Sequence, residues 1–382
     1  MERVRVGIVG TGFVARLHAH AWRRVHGIDV RLVAVASAHE ERAEAFARAH
    51  GVDRASASTP GLLGDNDIDV VDLCVPNHLH ASLARDALRA GKHVVVEKPL
   101  TGCFAPRASV AAREMLERAV ADADSVVAAA TDTRHVCYAE NWVYAPPFVK
   151  AQELLTEAGG AVLRIQGEES HSGTHSEPNK HWVTAGGGAL LGKGCHPLGA
   201  ALYLKRRDGA RPASAVAVTA SLTKSAHFDA TTTAIRSGYE DVEDYGMLML
   251  TFDDGTVAEI IGADTSLGGV RNRMTVFGTN VVVEANLNPN SAVRAYAPDA
   301  DALAGAYLSE KLESHAGWSQ PAPDEDWMQG YPQEMQDFAE AIAYERAPRS
   351  DARLGRDVCA VVYGGYLAAE TGTRVDLSPW FP

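Results

Sequence analysis

The chain has 382 residues, 46% of them hydrophobic and 22% charged, with a formal net charge of −13. That length exceeds one ordinary core and predicts two domains of a soluble globular protein. The acidic balance argues against nucleic acid or an anionic membrane as partner, and no run approaches the ~20 apolar residues that span a bilayer. Cys74, Cys103, Cys137, Cys195 and Cys359 are scattered without CxxC spacing. They read as reduced thiols, and with no signal peptide before Val4 the expected location is cytoplasmic.

The apolar run Val4, Val6, Ile8, Val9 leads into Gly10-x-Gly12-x-x-Ala15, and a helix is expected over 16–24. Strand, tight turn and helix in succession is the setting in which such glycines bind a dinucleotide. Gly10 permits the turn, Gly12 lets a pyrophosphate approach the backbone, and Ala15 lets helix and strand pack. The phosphates would sit on the free N–H groups at the positive helix end, beside Phe13 and Val14. A second strand is predicted over 30–37 and a helix over 40–50, stopped by Gly51. Its strand ends at Ser37-Ala38-His39. An acid for the ribose diol is missing there, as is an adjacent arginine for a 2′-phosphate, so NAD and NADP both stay open.

The strand over 69–75 ends at Pro76-Asn77-His78-Leu79-His80, and the strand over 92–96 ends at Glu97-Lys98-Pro99. Carboxyl ends of parallel strands line the ligand crevice. Pro76, Asn77, His80, Glu97 and Lys98 are therefore candidate cofactor contacts, with Lys98 also a candidate for catalysis. Helical sequence over 114–123 and 125–131 and a strand over 136–139 complete the first domain. That strand delivers Asn141 as a cofactor contact and Tyr144 as a substrate contact. Pro146-Pro147 opens a helix to 157. Short strands follow over 162–166, 215–221, 247–252, 257–261, 274–277 and 281–284, with Asp253-Asp254-Gly255 as a hairpin turn. Helices return over 333–344 and 358–371.

Between those strands, Glu168 to His175 and His181-Trp182 hold metal-type ligands, but Gly173 and Pro178 make a loop there. A zinc site wants rigid elements and clear spacing, so no metal is expected. His171, His175, Lys180 and Trp182 are better suited to contact a sugar. The acidic run over 240–244 reads as a solvated turn.

Gly10-x-Gly12-x-x-Ala15, the runs Asp72–His80 and Ala90–Leu100, Ala139-Glu140-Asn141-Trp142, the glycines before His196 and the closing Ala368–Gly372 keep a shared order and spacing. By these the chain resembles the Gfo/Idh/MocA family of glucose–fructose oxidoreductase and inositol dehydrogenase relatives. The resemblance implies an α/β fold: a Rossmann dinucleotide-binding domain at 1–140, then an α+β domain at 141–382 with an open-faced, mostly antiparallel sheet. It implies NAD or NADP as cofactor and a carbohydrate-like small-molecule substrate. It also implies a homodimer or homotetramer formed through that sheet, and Lys98 as active-site lysine. Members that oxidise sugars or inositols commonly carry Asp four residues before the histidine. Here Gly192 stands there, with Lys193 beside it.

Oxidising a secondary alcohol needs a base and a positive charge for the developing alkoxide. The expectation is that Lys98 polarises the oxygen and His196 carries the proton, with no carboxylate to orient the imidazole and with Lys193 either sharing its helical face or standing as a solvated helix residue. Two lysines would lower the His196 pKa. The missing Asp also leaves open an anionic substrate, a redox-neutral elimination or glycoside cleavage with tightly held NAD, and a decayed regulatory site.

Overall fold

The computed structural model describes residues 2–288 and 293–381. The first sheet holds β1 (Arg3–Val9), β2 (Asp29–Ala36), β3 (Arg54–Ser56), β4 (Val70–Leu73), β5 (His93–Glu97) and β6 (Val136–Ala139). Its order is β3-β2-β1-β4-β5-β6, and every pair is parallel. Val4, Val6, Ile8, Val70, Val71 and Val94–Val96 are fully buried, as strands covered on both faces require. The cover is α1 (Phe13–Trp22), α2 (Glu40–His50), α3 (Thr59–Leu63), α4 (His80–Arg89) and α5 (Ala112–Ala129). Strand order reverses between β1 and β4, so the crevice opens at their carboxyl ends.

Sequence and structure differ here in three places. Helix α1 begins at Phe13, earlier than expected, because the turn needs only Gly10 to Gly12. Helix α5 is continuous where two segments were expected. The short β3 and α3 carry too few residues to show a period.

Helix α6 (Pro146–Ala158) leads into the second sheet. It comprises β7 (Val162–Ser170), β8 (Pro212–Ala220), β9 (Tyr245–Phe252), β10 (Val257–Ala263), β11 (Arg271–Gly278) and β12 (Val282–Asn286), with the late β15 (Val375–Asp376). The order is β12-β11-β7-β10-β9-β8-β15. All pairs are antiparallel except β7 with β10. Strand β7 continues past Gln166, so Glu168 and Glu169 lie on the sheet and not in the expected loop. Strands β13 (Ala295–Ala297) and β14 (Gly317–Ser319) form a separate pair.

The inner face of this sheet carries α9 (Cys195–Arg206) and α12 (Ala352–Thr371), and α12 also packs along α5 and so joins the two sheets. The outer face leaves Val216, Val218, Met247 and Met249 exposed. Short α7 (Trp182–Ala185) and α8 (Ala189–Gly192) precede α9, and α10 (Glu325–Met328) precedes α11 (Tyr331–Ala343), which packs on α1. Among the described residues, no helix is long and apolar enough to cross a membrane.

Candidate active site

The glycine-rich turn is shaped for a dinucleotide. Gly10 has φ of +110°, and a Cβ there would stand 2.0 Å from the Cys74 carbonyl oxygen. Gly12 has nothing within 4 Å of where a Cβ would be, so its backbone is open to an approaching ligand. It caps α1 without a side-chain hydrogen bond, and the first turn holds no acid. The free N–H groups are thus left for an anion. Phe13 is exposed and Val14 half-buried beside them, and Ser37 meets Thr11 at 3.4 Å between hydroxyls. These residues fit NAD or NADP.

Behind the crevice, β5 ends on Glu97, whose Oε1 lies 3.0 Å from His18 Nε2 and whose Oε2 accepts the Lys98 N–H at 3.0 Å. His18 Nδ1 lies 3.0 Å from Asp72, which also accepts from the Trp22 indole at 2.8 Å. Burial alone would lower the His18 pKa, but the charge of Asp72 and their hydrogen bond outweigh it and hold it well above normal. Glu97, though buried, is held low by His18. Lys98 Nζ reaches across to donate to the Gly192 carbonyl at 2.8 Å. Burial pushes Lys98 down, but Cys195 and then Glu169, Glu97 and Glu140 push it up further.

His196 sits in the first turn of α9, its ring stacked on Trp142 with centroids 6.2 Å apart. Nδ1 is 2.7 Å from Glu140 Oε1, and Nε2 is 3.7 Å from Glu169 Oε2. The expectation that no carboxylate would orient this imidazole is overturned. Glu140 follows β6 directly and is seated against Gly199, where a Cβ would stand 2.9 Å from Glu140 Cγ. Burial raises the Glu140 pKa well above normal. Burial first, then Lys98, lowers His196 to about 4, with Lys193 a lesser influence. The Glu140, Cys195 and His196 donor atoms lie within 4.8 Å of one another, as do those of His18, Asp72 and Cys74.

Gly192 and His196 are not on one helix: α8 ends at Gly192 and α9 starts at Cys195, with Lys193 between them out of helical geometry. Two glycines in four residues break the helix that spacing predicts. Lys193 therefore leaves the face of His196 and forms a 2.7 Å ion pair with Asp264, at the end of β10. His171 Nδ1 accepts from the Gly173 N–H at 3.0 Å, and burial, then Lys193 and Lys311, hold it neutral. Lys311 arrives from the segment after β13 and donates to the Gly173 carbonyl at 2.9 Å.

Several expected contacts are placed elsewhere. Tyr144 is buried, donating to Asp337 at 2.8 Å and accepting from the Ser350 N–H at 2.9 Å. Asn141 is also buried, and its Nδ2 donates to the Gln329 carbonyl. Trp182 gives its indole N–H to the Cys103 carbonyl and is covered by Arg107. All three point into packing because the chain after β6 and α7 lies under α9, α11 and α12. His80 is fully buried between the carbonyls of Val75 and Pro99, a brace for the strand ends and not a cofactor contact. Pro76 is exposed and Asn77 ties α7 to the first sheet through the Ala185 carbonyl. His175 is exposed.

Glu140, Glu169, Asp264 and Lys311 were not singled out as site residues from sequence. The position of Glu140 at a parallel strand's carboxyl end was the available signal, and extended alternation along 162–170 was the signal for Glu169.

Residues 4–140 match the family described as "Oxidoreductase family, NAD-binding Rossmann fold", and residues 148–284 match the "GFO/IDH/MocA C-terminal domain". D-xylose 1-dehydrogenase (NADP(+)) 2 of Haloferax volcanii is 27% identical over 92% of this chain and 94% of its own. Levoglucosan dehydrogenase of Pseudarthrobacter phenanthrenivorans is 37% identical, over 26% of this chain and 27% of its own. The crystal structure of GenD2 from gentamicin A biosynthesis in complex with NAD is 25% identical, with a TM-score of 0.79 over 98% of this chain and 97% of its own. With both halves matched and the dinucleotide turn intact, the chain belongs to the Gfo/Idh/MocA family of NAD-binding oxidoreductases.

Proposed function

We propose that this protein moves a hydride between a nicotinamide and a secondary alcohol or ketone of a sugar, cyclitol or related polyol. The observation that carries this reading is the 2.7 Å contact of His196 Nδ1 with Glu140, on an imidazole that shares its surroundings with Lys98. NAD or NADP, held at the turn of Gly10 and Gly12 with Phe13, Val14 and Ser37 alongside, supplies the hydride acceptor. With Nδ1–H on Glu140, the Nε2 lone pair faces the crevice as the base. As Nε2 takes the alcohol proton, the Nδ1 proton passes to Glu140. Its raised affinity suits it to receive one, and no new charge pair is left buried. Lys98 supplies positive charge for the developing alkoxide. The charge of Lys193 is matched by Asp264, which favours a neutral polyol over an anionic substrate.

Residues 1–140 then act as the nucleotide unit and 141–382 as the substrate unit. The exposed apolar face of β8 and β9 suits a second copy of the chain in a homodimer or homotetramer, which sedimentation would detect. Unpaired cysteines suit a cytoplasmic setting. The test is absorbance at the NADH and NADPH band during a screen of monosaccharides, inositols and sugar acids with each cofactor. Turnover lost in both Lys98→Ala and His196→Ala supports the reading. Turnover indifferent to Lys98→Ala contradicts it.

A further inference from the structure

Strand β7 turns Ile165, Gly167 and Glu169 toward the helix layer. A Cβ on Gly167 would stand 2.5 Å from Pro197 Cβ, so the first turn of α9 lies directly on this stretch of strand. Two residues further, Glu169 meets the imidazole, with Oε2 3.7 Å from Nε2. Glu169 is only 9% exposed. Among the described residues its carboxylate accepts no hydrogen bond, whereas Glu97 and Glu140 each hold one or more. The Glu169 side chain keeps 12% exposure and its oxygens carry no protein donor, an arrangement that suits a donor arriving with a ligand. Open space lies on the far side of Lys98, whose charge acts on Glu169. Gly192, whose carbonyl receives Lys98, has nothing within 4 Å of where a side chain would begin.

We propose that Glu169 is a substrate-binding residue that accepts a hydrogen bond from the hydroxyl neighbouring the carbinol, so that the recognised unit is a vicinal diol. His196 Nε2 and Glu169 Oε2 offer two acceptors at a spacing that hydroxyls on adjacent carbons span with one hydrogen bond each. The proton of the oxidised hydroxyl goes to Nε2, while the second hydroxyl keeps its own proton and only orients the ring. Burial raises the Glu169 pKa above the usual carboxylate value, and the charges of Lys98 and Lys193 act against that rise. This inference rests on the dehydrogenase reading and adds its substrate class.

The test reads nicotinamide fluorescence of the full chain loaded with NADH, with no turnover required. The probes are myo-inositol, trans-1,2-cyclohexanediol and cyclohexanol. The wild type is expected to bind the two diol-bearing probes at least tenfold more tightly than cyclohexanol. In Glu169→Gln that preference falls by roughly tenfold to a hundredfold, as loss of a hydrogen bond to a charged group implies. Glu169→Asp, which keeps the charge but withdraws it by one methylene, loses part of the preference and covers the case of a poorly folding Gln variant. Diols bound no better than cyclohexanol, diols not bound at all, or variants as selective as the wild type would each overturn the assignment. A parallel assay with NAD and NADP separates the two claims. Diol binding that depends on Glu169 without any polyol oxidation contradicts the dehydrogenase reading alone.

Discussion

Two buried histidines each stand between two carboxylates. His18 has Asp72 at 3.0 Å and Glu97 at 3.0 Å, and His196 has Glu140 at 2.7 Å and Glu169 at 3.7 Å. Desolvation opposes the charge on both. Yet His18 is held well above its usual range and His196 falls to about 4. At His196 burial and then Lys98 lower the pKa, while at His18 the charge of Asp72 overrides the same desolvation. The same residue types thus make a charged strut at one place and a neutral imidazole at the other.

Breaking the strut has the largest expected effect on stability. His18→Leu leaves Asp72 and Glu97 buried without a cation and should cost about 3–5 kcal/mol in chemical unfolding. The sign with pH follows from the raised folded value. The His18 contribution is full below its unfolded pKa of about 6.5 and is lost as pH rises through the folded value. The gap between wild type and variant should therefore narrow in alkaline buffer. A gap independent of pH would show that His18 is uncharged.

Changes around the other histidine should spare stability and strike turnover. Lys98→Ala is expected to lower kcat by about 10²–10³, the scale of one lost oxyanion donor. Glu140→Gln keeps the shape but cannot receive the Nδ1 proton, and a loss of about a hundredfold in kcat is expected. Because burial raises Glu140, the wild-type kcat/KM should fall as pH drops through a midpoint above the usual carboxylate range. That limb should vanish in the Gln variant. The smallest effect belongs to Tyr144→Phe, about 1–3 kcal/mol of stability from stranding the Ser350 N–H, since Asp337 keeps Arg346 and the Arg349 N–H, with KM unchanged. A raised KM would return Tyr144 to the substrate site.

Both sheets were legible in the sequence because strand periodicity and turn glycines are local signals. Lys98 was legible as a candidate because a charge directly after a buried strand has few structural uses. Glu140 has the same placement after β6 but was passed over for Asn141 and Tyr144, whose polar groups are consumed by Gln329, Asp337 and Ser350 across more than 180 residues of chain. Glu169 was hidden by ending β7 at Gln166, which assigned it to a loop. Lys193 followed a helical spacing that the break between α8 and α9 removes. Lys311 has no local signal, since a long-range contact alone brings it to Gly173.

The most direct test of the account is the imidazole nitrogen spectrum of the ¹⁵N-histidine-labelled protein at pH 7, with His18→Leu and His196→Asn used to assign the signals. The account predicts a protonated His18 and a neutral His196 carrying its proton on Nδ1 in the same sample. A cationic His196, or two histidines in one charge state, would contradict it.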